Sequence, residues 1–204
     1  MITVIDTGTA NTGSVAKALN VLRIPFVLTN DPAAVAGACK LLLPGVGAFE
    51  AGMTALRMRG LIDPLVEAVG FRKTPILGIC LGMQLLVSDS EEHGFHRGLG
   101  LVSGRVRKLD ATLCPTVPHM GWNNLESTDG NPLLRGMGTG PNFYFVHGFH
   151  VMDLGADVNV SVTHFGTQRI VATFNVGNIY GVQFHPEKSQ KNGLTLLKNF
   201  ADYA

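Results

Sequence analysis

Cys80 stands between two glycines, in Gly78-Ile-Cys80-Leu-Gly82, where an apolar run ends and a helical pattern begins. The same spacing around a serine makes a nucleophile elbow, a tight strand-to-helix turn that holds a reactive side chain clear of its sheet. The flanking glycines let other backbone approach where a side chain would block it. A cysteine in this turn sits at a helix N-terminus, whose partial positive charge favours the thiolate over the weakly ionised thiol. Cys39 and Cys114 lack such a frame. Cys39 precedes an apolar strand and Cys114 stands beside Pro115.

A nucleophilic cysteine needs a base that also protonates the leaving group. Of the seven histidines, His185 fits best, in the segment YGVQFHPE at residues 180–187. It ends the last apolar strand, and in a parallel sheet the loops at the carboxyl ends of the strands gather around the site. Pro186 confines His185 to extended backbone. Glu187, two residues on, is placed to return its carboxylate to the imidazole and set its tautomer. His93 and His96 form an HxxH pair without further ligands nearby, which reads as a solvated loop rather than a metal site. The spacing around His119 and His147 declares no role.

Acyl transfer also needs fixed N–H donors for the developing oxyanion. The Leu81 N–H, just after the nucleophile, is one by the geometry of the elbow. The turn Pro44-Gly45-Val46-Gly47 at the end of a neighbouring strand is the candidate for the second. Gln84, one helical turn beyond Cys80, projects on the same side of the helix and is placed to meet a polar substrate.

Several elements must position these groups. Apolar runs at residues 2–5, 25–28, 40–43 and 75–79 show no alternation and are separated by helical patterns at 14–22, 49–58 and 61–69, with Ser14 as a candidate cap. Asp31-Pro32 reads as a cap followed by proline at the first helical position. Such strands belong in a parallel sheet buried on both faces. After about residue 100 the texture changes to strands at 100–108, 142–149, 159–162, 170–175 and 179–184, with a hairpin turn at 175–178. A helix over 192–203, with Leu194, Leu197 and Phe200 along one side, closes the chain. The expectation is one α/β domain over residues 1–204, with an antiparallel addition in its second half.

Bulk composition agrees. The 204 residues are 46% hydrophobic and only 15% charged, and the net charge is +1; mean hydropathy is +0.23. That balance supplies a large core and gives no electrostatic case for nucleic acid or an anionic membrane. Three cysteines without a CxxC pair argue for a reducing compartment, and no run approaches the roughly 18 apolar residues of a membrane span. A cytoplasmic protein is expected. The absence of a Walker loop and of GxGxxG after a strand leaves no nucleotide-using synthase on this chain.

PGVG, GICLGMQ and GVQFHPE, in this order and at this separation, resemble the class I (triad) glutamine amidotransferases across essentially the whole chain. The resemblance implies a flavodoxin-like α/β fold and no cofactor or metal. It implies Cys80 as the nucleophile on the glutamine carboxamide, His185 as acid and base, and Glu187 as its orienter. Gly47 and Leu81 would form the oxyanion hole, and Gln84 would help to hold glutamine. DTGTANTGSV at 6–15, PHMGWN at 118–123, YFVH at 144–147 and EKSQ at 187–190 narrow the resemblance to the glutaminase subunits of imidazole glycerol phosphate synthases. Those subunits dock on a (β/α)8-barrel cyclase that receives ammonia through a channel in histidine biosynthesis. Asn11, Trp122, Asn123 and Lys188 would then face the partner, and His147, Gly148 and Phe149 would line the glutamine site. One departure stands out: that branch usually reads FVHS, whereas Gly148 follows His147 here, as in other class I branches. This change leaves room for a backbone contact to the glutamine carboxylate and removes a serine hydroxyl. The alternatives are a glutaminase serving another acceptor, a stand-alone cysteine hydrolase or peptidase, and a non-catalytic scaffold.

Overall fold

The computed structural model describes residues 1–8, 10–126 and 130–204. Thr9, within the 6–15 segment, lies outside the described residues. The apolar runs of the first half form β1 (Ile2–Ile5), β2 (Phe26–Thr29), β3 (Leu41–Gly45) and β4 (Ile76–Cys80). Between them lie α1 (Thr12–Val21), α2 (Pro32–Ala36), α3 (Phe49–Met58) and α4 (Ile62–Val66). Asp31 caps α2 by accepting from the Ala33 N–H at 3.1 Å, with Pro32 in the first turn. α1 starts earlier than the apolar spacing suggests. Its cap is Asn11, whose Oδ1 accepts from the Ser14 N–H at 3.3 Å, so Ser14 lies inside the helix. The predicted helix over 61–69 is not uniform, because α4 widens into a π turn at Glu67–Phe71.

α5 (Leu81–Leu85) follows β4 without a linker. The second half contributes β5 (Val87–Ser90), β6 (His96–Arg97), β7 (Val102–Lys108), β8 (His119–Asn124) and β9 (Asn142–His147). It continues through β10 (Phe149–Met152), β11 (Asn159–Phe165), β12 (Gln168–Val176) and β13 (Ile179–Val182) to α6 (Gln190–Tyr203). The main sheet has the order β11-β12-β13-β4-β3-β1-β2. It is parallel from β2 to β13 and antiparallel at β12 and β11, which form the expected extension. β12 turns into β13 over Gly177-Asn178, with Val176 opposite Ile179.

Both faces are covered along β1, β3, β4 and β13, which is why these strands run apolar without alternation, whereas edge strand β2 leaves Val27 and Leu28 exposed. Leu41, Leu43 and Ile76 pack on one side with Phe49, Met53 and Leu56 of α3. Leu42, Leu77 and Ile79 pack on the other with Val15 and Leu19 of α1 and Leu196, Leu197 and Phe200 of α6. The register aligns Gly45 with Cys80 and Val182 with Ile79, so β3, β4 and β13 end side by side.

Two small sheets flank this core, one of order β10-β7-β5-β6 and one pairing β8 with β9. The run expected as a single strand over 142–149 is therefore two. The chain pairs with β8 up to His147, then transfers to β7 from Phe149, and Gly148 is the break between the ladders. PHMGWN contributes a strand, β8, that its interrupted apolar pattern did not announce. Among the described residues no helix is long and apolar enough to cross a membrane.

Candidate active site

Cys80 is the last residue of β4 and the residue before α5, with φ +54° and ψ −109°. A side chain with positive φ is strained, and such a conformation persists only where the surroundings enforce it. Here they do so through close backbone packing. A Cβ on Gly82 would lie 1.8 Å from the Leu43 carbonyl oxygen, and one on Gly78 would lie 2.7 Å from the Gly82 carbonyl. Only glycine lets β3, β4 and α5 meet this closely, and their meeting lifts Cys80 to the sheet's carboxyl edge.

His185 follows β13 at the same edge, its N–H donating to the Tyr144 carbonyl at 2.9 Å. The short 3-10 turn Pro186–Lys188 brings Glu187 back onto the ring. His185 Nδ1 meets Glu187 Oε1 at 2.7 Å, and both side chains are only 3% exposed. The Ser189 hydroxyl pins the turn, donating to the His185 carbonyl at 2.6 Å and accepting from the Tyr144 N–H at 3.0 Å. With Nδ1 given to the carboxylate, Nε2 is left for Cys80, which lines the same cavity. Burial opposes a charged imidazole; the bonds and charges of Cys80 and Glu187 outweigh it and push the His185 pKa up to about 9. Glu187 Oε2 is buried without a hydrogen-bond partner among the described residues. Asn11, Gly45, His185 and Glu187 line a small void there.

Cys80 and His185 open on a cavity of about 240 Å³, also lined by Gly47, Leu81, Gln84, His147, Gly148 and Phe149. Gly47 has φ +94° with no atom within 4 Å of where a Cβ would stand. The Gln84 amide nitrogen donates to the Phe149 carbonyl and to Gln183 Oε1, each at 3.0 Å. Both of its protons are thus consumed inside the protein, and Gln84 has only its carbonyl oxygen to offer a ligand. A Cβ on Gly148 would meet its nearest neighbours, Pro118 and Val117, at 4.0 Å, an ordinary contact, so nothing steric demands glycine there.

The cavity also contains a group that sequence reading missed. Glu92 is buried, accepts from the Phe49 N–H at 2.7 Å and lines the same cavity. In the sequence it sits within Glu91-Glu92-His93, which has the local character of a solvated loop. Nothing in that pattern distinguishes the buried acid from its exposed neighbour.

The family model for class-I glutamine amidotransferase matches residues 3–203. The chain belongs to this family. Imidazole glycerol phosphate synthase subunit HisH of Salinibacter ruber is 46% identical, with 98% of this chain and 94% of that protein covered. Subunit HisH of Moorella thermoacetica is 44% identical over 98% of this chain and 94% of its own length. A crystal structure of a glutamine amidotransferase superposes with a TM-score of 0.76 at 18% identity, covering 98% of each chain, which shows the shared fold.

Around the mouth of the amidotransferase cavity the residues read as partner-facing take different positions. On β8 the side chains alternate, leaving Met120 and Trp122 exposed at 61% and 47%. Trp122 lies edge-on to Tyr144 of β9, ring centroids 6.0 Å apart, and the Lys188 ammonium stands 5.9 Å from the Tyr144 ring. Lys188 and Val146, the cross-strand partner of Met120, line the cavity itself. Asn123 does not share the outward direction of Trp122: it is half-buried and its amide donates to the His164 carbonyl at 2.8 Å. Asn11 is exposed at the start of α1 beside the His185–Glu187 pair. Neither His93 nor His96 joins a group of three or more metal-ligating side chains among the described residues.

Proposed function

We propose that this chain is the glutaminase subunit of an imidazole glycerol phosphate synthase, a cytoplasmic heterodimer of histidine biosynthesis. It hydrolyses glutamine to glutamate and ammonia and passes the ammonia to a (β/α)8-barrel cyclase. The observation that carries the chemistry is the convergence of the strained Cys80 turn and of His185, held by Glu187, on one cavity. Full-length identity to the HisH subunits supports the branch.

On this reading the Cys80 thiolate attacks the carboxamide carbon of glutamine. The Leu81 and Gly47 N–H groups hold the oxyanion. As the C–N bond breaks, His185 gives its Nε2 proton to the departing nitrogen, while Glu187 holds the ring and stabilises its charge. Neutral His185 then takes a proton from water, the hydroxide adds to the thioester, and the Cys80 sulfur leaves as thiolate with glutamate released. Gln84, with its carbonyl oxygen free, accepts from an N–H of the substrate. Glu92, the buried carboxylate of the cavity, pairs with the α-ammonium of glutamine.

The apolar, aromatic and cationic surface of Met120, Trp122, Tyr144 and Lys188 beside the cavity mouth supports docking of the cyclase there, so that ammonia crosses directly between subunits. The test is glutamate release with and without the cyclase subunit and its ribonucleotide ligand. Strong stimulation is expected, and Cys80→Ala abolishes turnover while leaving association intact. Turnover that ignores the cyclase would point to another acceptor or to a stand-alone hydrolase. Near-normal turnover by Cys80→Ala would remove Cys80 from the mechanism.

A further inference from the structure

Two buried histidines take no part in the chemistry above. His119 of β8 and His147 of β9 are direct cross-strand partners, exposed by 2% and 6%. His147 Nδ1 lies 2.8 Å from the Phe149 carbonyl oxygen, which can only accept, so Nδ1 carries the proton. The Nε2 of a neutral His147 is then an acceptor, and His119 Nδ1, at 3.1 Å, must donate to it. That leaves His119 Nε2 as an acceptor, with the Asn123 amide nitrogen 3.4 Å away. Every link runs one way, from Asn123 through both rings to Phe149. The same Phe149 carbonyl accepts from Gln84, so the chain ends on a wall of the cavity.

The surroundings keep this arrangement in place. The rings of Phe145 and Phe165 stack on His119 with centroids 4.7 and 4.1 Å away. A proton added to either imidazole would set two donors face to face. Burial opposes it, pushing His119 down to about 4 and His147, which also feels His119, down to about 3.

We infer that His119 and His147 are positioning residues for the glutamine pocket: their one-way hydrogen-bond chain fixes the Phe149 carbonyl and, through it, the Gln84 side chain. This rests on the reading of the cavity as a glutamine site. Neither ring touches the reacting atoms, and both nitrogens of His147 are engaged within the protein, leaving none for a ligand.

Two substitutions separate hydrogen bonding from packing. His119→Asn keeps a donor close to where Nδ1 stands but loses the stacked ring, whereas His119→Phe keeps the stack and loses the donor. Both are assayed as the full chain with its cyclase partner, beside thermal melts of each variant. His119→Asn is expected to keep kcat/KM for glutamine within about threefold of wild type, its one buried bond retained. His119→Phe loses about tenfold, the effect of one buried acceptor left unpaired, and the loss falls on KM rather than kcat because the chain serves binding. A purely structural role reverses the order, since phenylalanine fills the stack better, and that result overturns the proposal. Long-range proton–nitrogen NMR on the wild-type chain gives a reading independent of activity. At pH 6 both rings should be neutral and protonated on Nδ1, and a proton on Nε2 of either would also refute the chain. Wild-type protein without glutaminase activity would instead sink the glutamine reading and leave the NMR test standing.

Discussion

His185 is buried beside two groups that favour its charged form, Cys80 on the shared cavity and Glu187 at Nδ1. Burial alone would depress its pKa; the neighbouring Cys80 and Glu187 together outweigh it. The imidazolium to which the proposed mechanism assigns protonation of the leaving nitrogen is thus the resting form up to about pH 9. Turnover should decline as pH rises through that value. Glu187→Gln removes the neighbouring charge and moves the alkaline limb of the kcat/KM profile down towards the ordinary histidine range. At pH 8 it should also lower kcat/KM by about a hundredfold, the scale of a misoriented acid–base group. A variant profile that superposes on wild type would show that Glu187 does not set the charge of the ring.

Among the elements, the junction of β3, β4 and α5 is the least forgiving. Cys80 holds a positive φ because the backbones around it are packed to the limit at Gly45, Gly78 and Gly82. The tightest point is the 1.8 Å that would separate a Gly82 Cβ from the Leu43 carbonyl, a backbone atom with no rotamer to swing aside. Gly82→Ala should therefore cost about 3 kcal/mol or more in urea unfolding, at the upper end for one added methyl, because two central strands must part. Activity should fall with it, since the same junction carries Cys80 and Leu81. A variant of wild-type stability would mean that α5 shifts freely against the sheet.

For the molecule as a whole, buried histidines make stability depend on pH in both directions. His119, His147 and His150 are held neutral by burial, with pKa values pushed down to about 4, 3 and 4. The unfolded chain binds protons first as pH falls, so their contribution is present above about pH 6.5 and is lost as pH drops below it. Near pH 5 unfolding takes up about three protons from this set. His185 works the other way. Its raised pKa adds stability that is complete below about pH 6.5 and is lost as pH rises through about 9. The urea midpoint should peak close to pH 7, fall steeply towards pH 4.5 and decline more gently on the alkaline side. A midpoint that stays flat from pH 7 to pH 5 would mean that these rings are not kept neutral in the fold.

What the sequence determined by itself was local. Strand, turn and helix meet within a few residues at Cys80, and the same holds for His185, Pro186 and Glu187. Fully apolar strands separated by helices announced a parallel sheet covered on both faces, because burial on two sides leaves no reason to alternate. What only the tertiary structure decided depends on partners distant in the chain. Glu92 reads as a surface acid until the fold brings the Phe49 N–H and the cavity to it. Nothing local to Asn123 announces that its amide donates to the His164 carbonyl, and Ser14 reads as a cap until Asn11 is seen to hold it. His119 and His147 stand 28 residues apart, and no spacing pattern links them; the β8–β9 pairing brings their facing ring nitrogens to 3.1 Å. A side chain's role follows from its neighbours, and where those come from another strand, local sequence carries the residue type but not the bond.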